Sequence, residues 1–297
     1  MCLSGILDCH LRNGVTIIRS TGMNKAIIIG GSNGIGLAVS KNLINKGFYV
    51  YILDIAEPEF GVLPKECYEY RCCNLLDVDE DAISVYVGDD EINTLMITAG
   101  FGRVADFEYF HTAKIKNMMT VNATSTIRIL RLFYDRIRSK TLFYCGVMGS
   151  ISGLMSSPSV AVYAASKAAI CRFIESVNIE LEESGTKNRI LNVSPSSFKG
   201  SKFYGGKNNL EFLAGFADEI VRHLQNQDCL FIPQYEEIFK AVLERYHDNP
   251  HEYGLYSYQY KKKSGRLDNS KRVKIGYLSG TFDLFHIGHL NLLRRAK

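Results

Sequence analysis

The chain has 297 residues, 46% of them apolar, enough for one large domain with a small appendage or for two modest domains. That apolar share excludes wholesale disorder. Lys and Arg number 35 against 31 Asp and Glu, a net charge of +4, which makes no case for a nucleic-acid or membrane surface.

No apolar run reaches the length of a membrane span. Eight cysteines (Cys2, Cys9, Cys67, Cys72, Cys73, Cys145, Cys171, Cys229) lack C-x-x-C spacing and read as reduced thiols of an intracellular, cytoplasmic protein. Residues 1–22 show no signal-peptide block. Met23 looks like an ordinary start, so 1–22 are expected to form a poorly ordered extension.

Lys25 to Ile29 reads as a short, fully apolar strand of the kind buried in a parallel sheet. Gly30, Gly31, Ser32, Asn33, Gly34, Ile35 and Gly36 follow, then a helical run, LAVSKNLINKG. A glycine-rich turn between strand and helix lets backbone approach a diphosphate seated on the helix N-terminus. The next strand, FYVYILD, ends at Asp54, where an acidic side chain binds ribose hydroxyls and repels a 2′-phosphate. No basic residue follows closely and Asn33 precedes Gly34, so NAD is expected rather than NADP.

Further strands are expected at Glu69–Cys73, Asn93–Thr98, the run closing at Ser150, and Arg189–Ser194, which Pro195 ends. Helices are expected at Asp79–Val87, as one or two elements within Phe107–Arg138, and from Val162 onward. This alternation argues an α/β fold with a doubly wound parallel sheet. The run after Pro195 is rich in Gly and Lys and reads as a mobile loop over a site. Phe212, Phe216, Ile220 and Leu224 mark one buried helix face, and Glu236–Tyr246 another helix. The Tyr-rich run that follows reads as a final strand or packing arm. Lys261 to Lys271 reads as a linker, with its Lys run solvated.

Within the helix after residue 161, Tyr163 and Lys167 stand four apart, on one face. An ammonium beside a phenol favours the phenolate and suits the tyrosine to proton transfer near neutral pH. Ser150, at the end of the preceding strand, is the natural third member.

Together these residues resemble the short-chain dehydrogenase/reductase family. The match spans about Lys25 to Tyr260 and rests on Gly30, Gly34, Gly36, Asp54, Ala99, Gly100, Asn122, Ser150, Tyr163, Lys167 and Pro195, in family order and spacing. The resemblance implies a three-layer Rossmann-type fold over 23–260, a homodimer or homotetramer, and hydride transfer between a nicotinamide and a carbonyl or alcohol. Tyr163 would be the general acid or base, Lys167 would lower its pKa and hold the nicotinamide ribose, Ser150 would bind the reacting oxygen, and Asn122 would hold a water. Four positions depart from the family pattern. Thr98 and Ile97 replace two Asn, Asn74 stands where Asp is usual, and Ser196 follows Pro195 where Gly is usual. A non-catalytic NAD-binding module is the alternative, and the intact Ser150, Asn122, Tyr163 and Lys167 speak against it.

Residues 273–297 carry GTFDLFHIGH, with His286 and His289 opening a helix, and resemble the start of a glycerol-3-phosphate cytidylyltransferase-like domain. Two His at a helix N-terminus stabilise a transferred phosphoryl group. Only the first strand and helix of that domain are represented, so no transferase activity is expected of this chain alone. The juxtaposition suggests a keto-sugar phosphate as the reductase substrate, with Arg103, Lys199, Lys202 and Lys207 as candidate phosphate contacts.

Overall fold

A computed structural model describes residues 24–196 and 209–263, which all lie within one unit of the chain. Lys199, Lys202, Lys207, His286 and His289 fall outside the described residues, as do residues 1–23. The strands are β1 (Lys25–Ile29), β2 (Tyr49–Asp54), β3 (Tyr68–Cys72), β4 (Ile92–Ile97), β5 (Tyr144–Met148), β6 (Ile190–Val193) and β7 (Leu230–Phe231). They form one parallel sheet in the order β3-β2-β1-β4-β5-β6-β7.

Both faces of the central sheet are covered, which is why strands such as β1, β4 and β5 are largely apolar, while the edge strand β3 is not. Ala26 and Ile28 of β1 point into one core with α1 (Gly34–Asn45) and α7 (Leu210–Gln225). Ile27 and Ile29 point the other way, toward α4 (Ser125–Leu132) and α6 (Ala161–Glu183). The short α2 (Glu80–Ser84), α3 (Thr112–Met119) and α5 (Tyr134–Arg138) complete the second layer. On α6, Tyr163, Lys167, Ile170, Ile174 and Leu181 recur at helical spacing on the buried side.

Strand order reverses between β1 and β4, so the turns after these two strands part and leave a crevice at their carboxyl ends. Between α3 and α4 the helix widens into a π-turn, Thr120–Thr124, with Asn122 inside it. Such bulges are common at functional sites.

Three expectations need correction. Phe212 is 55% exposed, and the buried face of α7 runs instead through Leu213, Phe216, Ala217, Ile220 and Leu224. The Tyr-rich run is not a strand; it packs, as a helix. It forms α9 (Pro250–Lys263), paired with α8 (Lys240–Asp248) through Arg245, which stacks on Tyr256 at 4.1 Å and on Tyr253 at 5.4 Å. The helix therefore extends past Lys261, where composition suggested a linker, and the Lys261 ammonium donates to the Pro158 carbonyl at 2.7 Å. No helix among the described residues is long and apolar enough to cross a membrane.

Candidate active site

The glycine turn is built by contact as much as by conformation. Gly30 and Gly34 have φ of 86° and 53°, in the left-handed region that favours glycine. At Gly36 a Cβ would stand 2.1 Å from the Gly30 carbonyl oxygen and 2.4 Å from Thr98 Oγ1, so only glycine lets the first turn of α1 lie against β4. Thr98 donates its hydroxyl toward the carbonyls of Gly30 (3.0 Å) and Ile29 (3.1 Å), tying the turn to the end of β4. At this departure from the family pattern the threonine performs a bracing role.

Asp54 closes β2 beside this turn. Its Oδ2 accepts from the Ser32 amide at 3.0 Å and its Oδ1 from the Ile55 amide at 2.7 Å. A carboxylate has about four acceptor positions, so capacity for ribose hydroxyls remains. The first turn of α1 holds no acidic residue, and its residues Gly34 to Gly36 line the crevice.

The second half of the site comes from β5 and α6. Ser150 leaves β5 in extended conformation, and its Oγ accepts from the Ser152 amide at 3.2 Å, which keeps the hydroxyl proton for another acceptor. Tyr163 sits in the first turn of α6, 7% exposed. Lys167 lies one turn on, with Nζ 5.9 Å from the Tyr163 ring centre, and donates to the Met148 carbonyl at 2.7 Å. Its ammonium has three donors, so one such bond leaves two. Burial pulls the Lys167 pKa down from 10.5 to about 8, with Cys171 acting weakly the other way.

One cavity of about 540 Å³ joins these halves. Gly30, Asn33, Gly34, Ile35, Gly36, Asp54, Asn74, Ala99, Gly100, Ser150, Tyr163, Lys167 and Pro195 all line it. Ser32 lies just behind, 1% exposed, with its hydroxyl unpartnered among the described residues. Gly100 leaves its space to others, since a Cβ there would stand 3.2 Å from Asn122 Oδ1 and 3.3 Å from Lys167 Nζ. The dimensions suit a cofactor-sized ligand.

Two expected residues are placed differently. Asn122 is 1% exposed; both Nδ2 hydrogens are engaged, while Oδ1 keeps one acceptor position. Nδ2 donates to the Phe101 carbonyl (2.9 Å) and to Ser166 Oγ (3.0 Å), while Oδ1 accepts from the Phe101 amide (3.0 Å). Its side chain clamps the loop after β4 to α6, and its oxygen can still accept from a water. Arg103 does not reach the cavity. Its guanidinium donates to the Tyr109 carbonyl at 3.3 Å and covers the Phe110 ring at 5.5 Å, within its own loop.

Sequence reasoning missed Ile55, Leu76, Phe101, Val121 and Ser152, which also line the cavity. Ile55 and Leu76 are 71% and 45% exposed. Large apolar residues just past polar strand ends were the available signal, because such positions are otherwise polar turns. Cys73 also borders the cavity, and burial raises its thiol to about 11, so it stays protonated and unreactive at neutral pH.

The family model of the short chain dehydrogenases matches residues 24–205. The chain belongs to that family. Among curated family members it is 26% identical over 202 residues to an uncharacterized oxidoreductase of Saccharomyces cerevisiae, covering 65% of this chain and 60% of that one. It is 27% identical over 179 residues to a very-long-chain 3-oxoacyl-CoA reductase of Meyerozyma guilliermondii, covering 54% and 52%. The chain thus spans only about half to six tenths of the length of these relatives. Solved structures of the same fold include a short-chain dehydrogenase from Streptomyces avermitilis, with a TM-score of 0.63 at 17% identity, covering 82% of this chain and 98% of that one. Another is a short-chain dehydrogenase from Sphingobium yanoikuyae in complex with NADPH, with a TM-score of 0.59 at 16% identity, covering 86% and 99%.

Proposed function

We propose that this chain is an NAD(H)-dependent oxidoreductase that interconverts a carbonyl and an alcohol. The observation carrying this reading is the single cavity that joins the glycine turn and Asp54 at one end to Ser150, Tyr163 and Lys167 at the other. The turn amides and the N-terminus of α1 would hold a diphosphate, and Asp54 would take the adenosine ribose hydroxyls. Ile55, Leu76 and Asn74, which line the same end of the cavity, would hold the adenine. A bound nicotinamide supplies or accepts the hydride.

The protein's own chemistry is proton transfer. Ser150 donates its hydroxyl to the substrate oxygen and fixes its position. Tyr163 delivers a proton to that oxygen in reduction and removes it in oxidation. Lys167 favours the phenolate and has donors left for the nicotinamide ribose. Asn122 braces Phe101 against α6, and its side-chain oxygen can still accept from the water that the resemblance implies. Asp54 supports NAD over NADP, since a 2′-phosphate there would meet a carboxylate, and Lys167 is the only cation among the described residues lining the cavity. Exposed Ala165 and Ala169 on α6 are small enough for close approach of a second copy, which supports a homodimer or homotetramer.

For the substrate, the reading is a keto-sugar phosphate reduced to an alditol phosphate that a cytidylyltransferase then activates. Its support is the motif at Gly280–His289, with Lys199 and Lys202 as phosphate contacts; Arg103, held by Tyr109 and Phe110, gives it none. The test is NADH oxidation with ketose phosphates, their unphosphorylated forms and neutral ketones. Turnover confined to the phosphorylated members is expected. Turnover of neutral ketones alone would remove the phosphate reading but keep the oxidoreductase. A Tyr163→Phe variant should bind NADH and lose nearly all turnover. Retained turnover in that variant would remove the assigned mechanism.

A further inference from the structure

Helix α9 carries Gly254, Tyr258 and Lys261 at spacings of four and three, so they share one face. That face lies on the two loops that flank Tyr163. Tyr258 donates its hydroxyl to Asp106 Oδ2 at 3.2 Å, in the loop after β4. Lys261 donates to the Pro158 carbonyl at 2.7 Å, in the loop before α6. A Cβ on Gly254 would come within 3.5 Å of Ser156 Oγ, so the helix runs close over this second loop.

The loop before α6 needs such support. Ser159 has φ of 66°, the left-handed region that a serine adopts only under constraint. It is 6% exposed and its hydroxyl has no partner among the described residues. Val160, the N-cap of α6, makes no side-chain capping bond. What fixes this segment is the Ala105 amide on the Ser159 carbonyl (2.8 Å), the Val160 amide on the Ser157 carbonyl (3.2 Å), and Lys261 on Pro158. Tyr163 follows four residues after Ser159, in a first turn with no cap of its own. The charge of Asp106 raises the pKa of the Tyr258 phenol, which is the donor in this pair.

We propose that Tyr258 and Lys261 are positioning residues, through which α9 clamps the loops at 104–106 and 156–160 and sets the direction of Tyr163. The inference rests on the oxidoreductase reading for its kinetic consequence, and on the loops alone for its structural one. Neither residue lines the cofactor cavity, so cofactor affinity should not depend on them.

The variants are Tyr258→Phe, Lys261→Met, their combination, and Lys261→Arg, each in the full chain. A misplacement of about 1 Å at the reacting centre costs up to roughly a hundredfold, so the double variant should lose roughly ten- to a hundredfold in kcat. NADH affinity, read by fluorescence titration, should stay within about twofold of wild type, because binding and chemistry are separated here. Lys261→Arg should recover most of the loss, since a guanidinium also donates to a carbonyl. Hydrogen exchange should speed up over 104–110 and 156–163 and stay unchanged over 30–37.

An active wild type whose double variant keeps its kcat overturns the proposal, even if the loops loosen. Faster exchange spread over the whole domain also overturns it, because α9 would then serve global stability. If the wild type reduces no carbonyl, the oxidoreductase reading has failed on its own account. The local exchange pattern then decides the clamp, present or absent.

Discussion

Lys167 is the most informative side chain to remove. Its ammonium is 3% exposed, and burial lowers its pKa from 10.5 to about 8. At about 1.4 kcal/mol per pH unit, holding that proton costs the folded state about 3 kcal/mol at neutral pH. The sign follows from proton counts. Below pH 8 folded and unfolded chains both carry the proton and the cost is constant. Between about 8 and 10.5 the folded chain has released it while the unfolded chain keeps it, so stability rises with pH through that window. Lys167→Met removes the buried charge and also the bond to the Met148 carbonyl, itself worth about 1.5 to 3 kcal/mol for a charged donor. These effects nearly cancel at pH 7, so the variant should unfold in urea within about 1 to 2 kcal/mol of wild type there. At pH 10 the wild type should have gained about 2 to 3 kcal/mol on the variant, because only its own chain releases a proton. Carbonyl reduction should be lost throughout. Stability curves that run parallel from pH 7 to 10 would refute the reasoning, since they would mean that the buried ammonium keeps its solution pKa.

Three other substitutions probe the cofactor half. Gly36→Ala should abolish NADH binding and destabilise the domain by about 1 to 3 kcal/mol, because the new methyl would stand 2.1 Å from the Gly30 carbonyl oxygen; calorimetry and fluorescence titration check it. Asp54→Asn keeps an oxygen for the Ser32 amide and removes the charge, so the ratio of kcat/KM for NADH over NADPH should fall by roughly tenfold or more in steady-state assays. Thr98→Val removes the hydroxyl that holds the Gly30 carbonyl and should cost about 1 kcal/mol in urea unfolding, with a weaker NADH affinity.

What could be read in the sequence is what spacing encodes. Unbroken apolar strands such as Lys25–Ile29, each followed by a helical period, define a sheet covered on both faces, and the structure has that sheet. Gly30, Gly34 and Gly36 announce a turn, and the four-residue step from Tyr163 to Lys167 announces a shared helix face. Local signals also mislead. Tyr253 to Tyr260 has strand-like composition and poor helix amphipathicity, yet it is helical because Arg245 on α8 and Asp106 across the loop give its tyrosines partners. A tertiary partner outweighed propensity there, and no window of sequence contains that partner.

Asn122 and Arg103 show the same limit at the level of single side chains. Each was assigned a solvent- or substrate-facing role from its place in the chain. In the fold each is tied to backbone groups of the loop after β4: Asn122 to both polar groups of Phe101, Arg103 to the Tyr109 carbonyl. A buried loop must satisfy its backbone somewhere, and polar side chains near it are the available supply. Which polar residue is spent on the scaffold and which is left for chemistry depends on that accounting. Ser150 and Lys167 differ from Asn122 and Arg103 in lining the cavity. They keep unspent hydrogen-bonding capacity at the wall of the cavity, and that surplus, rather than their order in the chain, is what fits them to act on a ligand.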